Sequence, residues 1–228
     1  CKQANNGTFW SVVFASASTN QIASAFDSNS NRIVIAYRDN GNSNQGTAIV
    51  GTISGSSISF GSEVVFESGN TSEISITFYD DTNRVIIAYK DAGNSDYGTA
   101  IVGSVDSSDN SISFGTPTVF ESAHTTFTSV VEDSNADKVV ICYNDVGNSN
   151  QGTAIVGTIS GTSISFGSPN TFESGTTERI STTFDSNSNK FVVAYADGGD
   201  SNKGKAIVGT VSGTGTSFGS IVEFESGT

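Results

Sequence analysis

An all-β fold is what the sequence predicts: a four-bladed β-propeller of four-stranded antiparallel blades, with an extra N-terminal strand. Three observations predict it. The phrase Gly-Thr-Ala-Ile-Val-Gly stands at 46–51, 98–103 and 152–157 and returns as Gly-Lys-Ala-Ile-Val-Gly at 204–209. Tyr37, Tyr89, Tyr143 and Tyr195 precede these phrases at spacings of 52, 54 and 52 residues. Apolar residues alternate or run in strand-length stretches, and no segment shows the i, i+3, i+4, i+7 spacing of a capped helix. A period of about 50 residues built from strands is the signature of a propeller.

The second copy sets the order of elements. Glu73 to Phe78 alternates apolar and polar residues, as a half-buried strand does. Asp80 to Asn83 turns the chain, and Arg84 to Tyr89 follows as a nearly continuous apolar run, suited to a strand covered on both faces. A loop at 91–96 leads to a third strand at 98–105. The fourth, from Ile112 through Phe114 to Phe120, carries Gly115 and Pro117, which an outer edge strand tolerates. Outer strands ending at Phe66, Phe120, Phe172 and Phe224 divide the chain into blades at about 20–68, 69–122, 123–174 and 175–228.

The stretch Phe9-Trp10-Ser11-Val12-Val13-Phe14, within a separate segment 1–19, aligns with the outer-strand phrase around Phe66. Four blades therefore have five outer strands. The surplus strand, with Phe9, Trp10, Val12, Val13 and Phe14 as its assembly residues, can lie on a blade edge or pair with a neighbouring molecule into a head-to-tail filament. A slice of a longer repeat array is the third option.

With 228 residues and 35% hydrophobic content, the chain suits one many-stranded domain. A net charge of −13 argues against nucleic acid and anionic membranes, which call for clustered basic residues. No apolar run is long enough to span a bilayer and no leader pattern opens the chain, so it reads as mature and soluble. Cys142 replaces the alanine of Ala36, Ala88 and Ala194 and reads as a small buried hydrophobe. Cys1 is open between a lipidated terminus, an intermolecular thiol and an accident of where the chain begins.

Between the second and third strands each copy carries Asp-x-Gly-[Asn/Asp]-Ser, beginning at Asp39, Asp91, Asp145 and Asp197. The aspartate can accept hydrogen bonds from its own turn while the glycine supplies an open backbone angle. No cofactor is expected, with weak Ca²⁺ binding by these loops as the alternative, since they lack the full acidic ligand run and the closing glutamate. Glu67, Glu121, Glu173 and Glu225 recur too regularly for a glycosidase, which needs two carboxylates in unlike environments. The third copy departs most. Glu132 stands where the others have Phe26, Phe78 and Phe184, and Phe127 where they have Gln21, Glu73 and Arg179, with the sole histidine, His124, just ahead. A one-residue slip of the inner strand is the preferred explanation, a functional site the other. Asn6 and Asn70 fit the N-glycosylation acceptor pattern.

The D-x-G-[ND]-S turn resembles the Asp-box of sialidase-type propellers. The repeat as a whole, Ala-Tyr-x-Asp-x-Gly-Asn-Ser with its Gly-Thr-Ala-Ile-Val-Gly, Ser-Ile-Ser-Phe-Gly and Val-Phe-Glu-Ser phrases, resembles tandem repeats of extracellular or virion-surface proteins of aquatic microbes and their phages. The resemblance implies surface display. The leading expectation is a non-enzymatic extracellular structural or adhesive module that self-associates. A lectin binding surface glycans is the alternative, and a propeller glycoside hydrolase the third choice.

Overall fold

The computed structural model describes residues 12–80 and 83–226. Seventeen strands join in one sheet that does not close on itself, which corrects the expected closed ring. They are β1 (Thr19–Asp27), β2 (Arg32–Asp39), β3 (Gln45–Ser54), β4 (Ser57–Phe60), β5 (Val64–Tyr79), β6 (Arg84–Asp91), β7 (Tyr97–Asp106), β8 (Ser111–Phe114) and β9 (Thr118–Asp133). After them come β10 (Lys138–Asp145), β11 (Gln151–Ser160), β12 (Ser163–Phe166), β13 (Asn170–Asp185), β14 (Lys190–Asp197), β15 (Lys203–Ser212), β16 (Gly215–Phe218) and β17 (Val222–Glu225).

Strand pairing defines four units. In unit I, β1 pairs β2, β2 pairs β3, and β3 is flanked by β4 along one half and by the start of β5 along the other. The fourth position is thus a broken strand, interrupted at 61–63. From Thr71 onward β5 pairs β6, so one 16-residue strand is outermost in unit I and innermost in unit II. The 16-residue strands β9 and β13 do the same for the next two junctions. Each of these strands runs through the boundary that the sequence periods suggest.

The core lies between units. The second strand of each unit is apolar on both faces, as its sequence predicts. Val34 and Ala36 face unit II, whose Val85, Ile87 and Tyr89 meet them. Ile86 and Ala88 face unit III, where Val139, Ile141 and Tyr143 lie. Val140 and Cys142 face Phe191, Val193 and Tyr195 of unit IV. Cys142 is free and fully buried, and burial pushes its thiol up to about 12. A native sample is therefore expected to show no reaction of this thiol with a disulfide reagent, and to release it on unfolding. Fast labelling of Cys142 in the native state would contradict the packing.

A single glycine per junction sets the closest approach. A Cβ on Gly115 would stand 1.9 Å from the Thr162 carbonyl oxygen, and one on Gly167 1.9 Å from that of Thr214. The β3–β4-type turn of the following unit is seated directly on this glycine. Arg32 and Arg84, at the start of their second strands, clamp the same turns: Arg32 Nη2 donates to Ser107 O (2.6 Å) and Arg84 Nε to Gly161 O (3.1 Å).

The described part of the N-terminal segment, 12–18, forms no strand, contrary to expectation. Val12 and Val13 are exposed, but Phe14 stacks edge-on against Tyr37 (5.2 Å) and Phe60 (6.0 Å). Phe66 makes the same pair of contacts with Tyr89 and Phe114, and Phe120 with Tyr143 and Phe166. Phe14 therefore holds an outer-strand phenylalanine's place on unit I without a ladder to support it. Phe9, Trp10, Asn6 and Cys1 lie outside the described residues.

Candidate functional site

The four aspartates of the D-x-G-[ND]-S turns each accept from their own loop. Asp39 Oδ1 takes Gly41 N–H (2.9 Å), Asp91 Oδ1 Asn94 N–H (3.1 Å), Asp145 Oδ1 Asn148 N–H (3.0 Å) and Asp197 Oδ1 Gly199 N–H (2.9 Å). Burial raises the Asp91 and Asp145 carboxyls above their ordinary range against these stabilising N–H donors. The glycine of the loop does not supply the left-handed angle. That conformation falls on the next residues, Ser43 and Asn44, Ser95 and Asp96, Ser149 and Asn150, and Ser201 and Asn202. The glycine admits the preceding outer segment: a Cβ on Gly41 or Gly147 would lie 2.2 or 2.4 Å from Ala17 or Ala123 Cβ. In unit IV, Lys205 Nζ spans Asp197 (2.5 Å) and Asp200 (3.0 Å). No group of three or more His, Cys, Asp or Glu side chains converges among the described residues.

The repeated glutamates are tied to the repeated tyrosines across each junction. Tyr89, Tyr143 and Tyr195 hydroxyls donate to Glu67, Glu121 and Glu173 at 3.0 Å each. Ala15 stands in the corresponding place ahead of unit I, and there Tyr37 donates instead to Glu63 (2.6 Å). Burial first, then the facing carboxylate, raises all four phenols above their ordinary range, so they stay protonated donors. Asn70 is exposed. Between the N-terminal segment and unit I lies a cavity of about 600 Å³, lined by Val13, Phe14, Ile49, Phe60 and Glu63 among others.

The copies diverge in one row on the innermost strands. Each of β1, β5, β9 and β13 is bulged, and the bulged residue is non-glycine with positive φ: Gln21 (52°), Glu73 (52°), Phe127 (52°) and Arg179 (53°). Such a backbone costs on the order of 1 kcal/mol at each place. One conformation with four unlike side chains is a scaffold carrying variable groups, as bulges that re-aim side chains do. Hydrogen bonds run along the row: Glu73 N–H donates to Gln21 Oε1 (3.2 Å) and Phe127 N–H to Glu73 Oε2 (2.9 Å). Phe127 carries no acceptor for the next step, and the relay ends there.

Beside the row, on the second strands, stand Arg38, Lys90, Asn144 and Ala196, each paired across the sheet with the residue just before the bulge. They point into the crevices between units on the side facing the next one. Arg38 Nε is buried and has no hydrogen-bond partner, Lys90 Nζ reaches Asp96 at 3.5 Å, and the buried Asn144 amide donates to Asn150 O (3.1 Å) and Thr177 O, which ties unit III to unit IV. Sequence reasoning misses these basic and amide groups because no motif surrounds them.

The third unit shows no slip. Val139 pairs Glu132 as Ile33 pairs Phe26, Val85 pairs Phe78 and Phe191 pairs Phe184, so all four copies share one register. Glu132 stays in the phenylalanine's place because Asp80 N–H donates to its Oε1 (2.8 Å) across the junction. His124 pairs with Tyr97 across β7 and β9, away from any second titratable cluster among the described residues.

No protein-family model and no curated protein sequence matches the chain. Among solved structures it is similar to a mutant of the Aleuria aurantia lectin in complex with α-methyl-L-fucoside, with TM-score 0.55 and 17% identity over 86% of this chain and 57% of the lectin. It is similar to a mutant of AofleA from Arthrobotrys oligospora in which arginines are replaced by alanine, with TM-score 0.55 and 10% identity over 88% of this chain and 56% of that one. Trypanosoma rangeli sialidase in complex with sialic acid follows at TM-score 0.51 and 11% identity, over 91% of this chain and 37% of the enzyme. The chain thus spans a little over half the length of the Aleuria aurantia lectin and of AofleA, and its all-β, propeller-like fold is the fold these proteins have.

Proposed function

We propose that the protein binds carbohydrate in the crevices between its units without transforming it, as a four-bladed member of the propeller architecture displayed at an extracellular, cell or virion surface. The observation that carries this reading is the row of bulged positions, where one strained backbone presents Gln21, Glu73, Phe127 and Arg179 beside Arg38 and Lys90. Sugars are held by directional donors and acceptors set against an apolar or aromatic surface, and the cationic groups of Arg38 and Lys90 supply donors in the crevices. The likeness to the fucoside-bound Aleuria aurantia lectin supports the same reading, and the sialidase supports it less. Turnover of a glycoside would call for two carboxylates in unlike settings, whereas Glu67, Glu121 and Glu173 hold equivalent tyrosine partners.

The test is a glycan array followed by titration calorimetry, with methyl α-L-fucoside as the first monosaccharide probe. Binding is expected, and Arg38→Ala and Lys90→Ala should each weaken it by about tenfold, the loss of one charge-assisted hydrogen bond, while leaving the melting temperature in place. An array without hits across neutral and acidic glycans sinks the proposal. Assembly into a head-to-tail filament through the N-terminal segment is the second reading, favoured by the exposure of Val12 and Val13 beside the packed Phe14.

A further inference from the structure

One position of the repeat changes from hydroxyl to ammonium while its surroundings stay the same. Thr47, Thr99 and Thr153 pair with Tyr37, Tyr89 and Tyr143 across the second and third strands, and Lys205 pairs with Tyr195. Each lies diagonal to the turn aspartate, which stands two residues beyond the tyrosine on the same face of the sheet. In unit IV the Lys205 ammonium reaches that aspartate, Asp197 Oδ2, at 2.5 Å and Asp200 Oδ2 at 3.0 Å. Hydrogen bonds to these two partners, Asp197 first, raise its pKa above the ordinary lysine value, so the place holds a full positive charge.

Units I to III keep the anionic side of this arrangement without the lysine. The turns use Oδ1 of Asp39, Asp91 and Asp145, and among the described residues Oδ2 accepts no hydrogen bond. Thr47 and Thr153 are 2% and 3% exposed, and their hydroxyls have no hydrogen-bond partner. Thr99 donates only to Tyr97 O, at 3.5 Å. A second carboxylate stands near each aspartate. A Cβ on Gly69 would lie 3.3 Å from Glu67 Oε1 and 3.4 Å from Asp91 Oδ1. After burial, Glu63 and Asp39 both raise the Tyr37 phenol, and Glu121 and Asp145 the Tyr143 phenol. Asn42 and Asn148 hold the place of Asp200. Their Nδ2 groups donate to Gln45 and Gln151, which leaves Oδ1 as an open acceptor.

We propose that units I, II and III each bind a calcium ion between the turn aspartate and this threonine, at the place the Lys205 ammonium fills in unit IV. The donor set is all oxygen, which selects a hard cation. Two carboxylates balance a divalent charge, and the threonine hydroxyl, the asparagine amide and water supply further ligands. Irregular spacing suits calcium, which takes roughly six to eight oxygens in loose geometry, over magnesium with its strict octahedron. No third carboxylate closes the shell, so affinity falls among weak sites, with Kd about 10⁻⁴–10⁻³ M. The four turns thus divide into three that recruit a cation and one that carries its own.

An amide NMR titration of the intact chain with CaCl2 reads each turn separately, with MgCl2 at equal ionic strength as the control. Amides at 41–44, 93–96 and 147–150 are expected to shift and saturate with calcium, and those at 199–202 to stay in place. Thr153→Lys copies the unit IV arrangement into unit III and silences 147–150 alone. Lys205→Thr does the reverse, and 199–202 then respond at lower calcium than the other turns, since Asp200 adds a carboxylate that they lack. Should Thr153→Lys fail to fold, Asp145→Asn keeps the turn's acceptor and silences the same amides. Turns that do not respond, an equal response to magnesium, or a response unchanged by Thr153→Lys and Lys205→Thr overturns the proposal.

Discussion

Phe120→Ala lowers the unfolding free energy by about 3–5 kcal/mol, whereas Phe224→Ala lowers it by about 1 kcal/mol or less. The two residues occupy the same place in the repeat, within Val-Phe-Glu and Glu-Phe-Glu. The difference lies in the presence or absence of a further unit packed on the ring. Phe120 is 7% exposed, lies over Gly98, where a Cβ would meet its ring at 2.4 Å, and packs on Tyr143 (5.1 Å) and Phe166 (5.8 Å). Truncating it opens a cavity between two units that are also held apart by Tyr143, so collapse is partial and the cavity cost remains. Phe224 covers Gly204 in its own unit and is otherwise open. Urea unfolding monitored at low protein concentration reads both as midpoint shifts at constant slope. Equal losses for the two variants would mean that unit IV's trailing face is covered in the monomer.

The second large effect is Gly115→Ala, expected to cost about 2–3 kcal/mol as an overpacking change. Its Cβ would overlap the Thr162 carbonyl, which is backbone of the next unit and cannot rotate away. Relief comes only by parting units II and III, which share the cluster around Ile86, Val139 and Ile141. Gly161 in the opposing turn is the control. It has nothing within 4 Å but a φ of +61°, so Gly161→Ala costs only the left-handed backbone, about 1–2 kcal/mol. A melting curve for Gly115→Ala that matches the parent would show that the turn is not seated on this glycine.

The strands are legible because their burial follows the letter pattern. Arg84 to Tyr89 reads as apolar on both faces, and both faces are buried against neighbours. The fourth strand reads as continuous but is broken, since nothing in Ile112 to Phe120 marks which half pairs with which part of β7. Repeat boundaries placed at 68–69 cut a strand that serves two units, because a period has no natural starting point. Glu132 looks like a slipped register, but a hydrogen bond from Asp80 in another unit keeps it in place, and such a partner is invisible along the chain. The bulge row is unreadable for a sharper reason. Gln, Glu, Phe and Arg share no preference for positive φ, so the tertiary ladder alone imposes it. Closure is equally hidden, because identical local contacts are made by units arranged in an arc or in a ring.

The 16-residue strands have a consequence for synthesis. A ribosome releases the last strand of one unit and the first strand of the next as a single piece, so every unit is completed by the act of beginning its successor. Nearly all contacts then close within about one repeat of the growing tip, as in other quasi-one-dimensional arrays. Folding can advance from the N-terminus one unit at a time, with a half-finished sheet exposed only for as long as the next ~50 residues take to emerge.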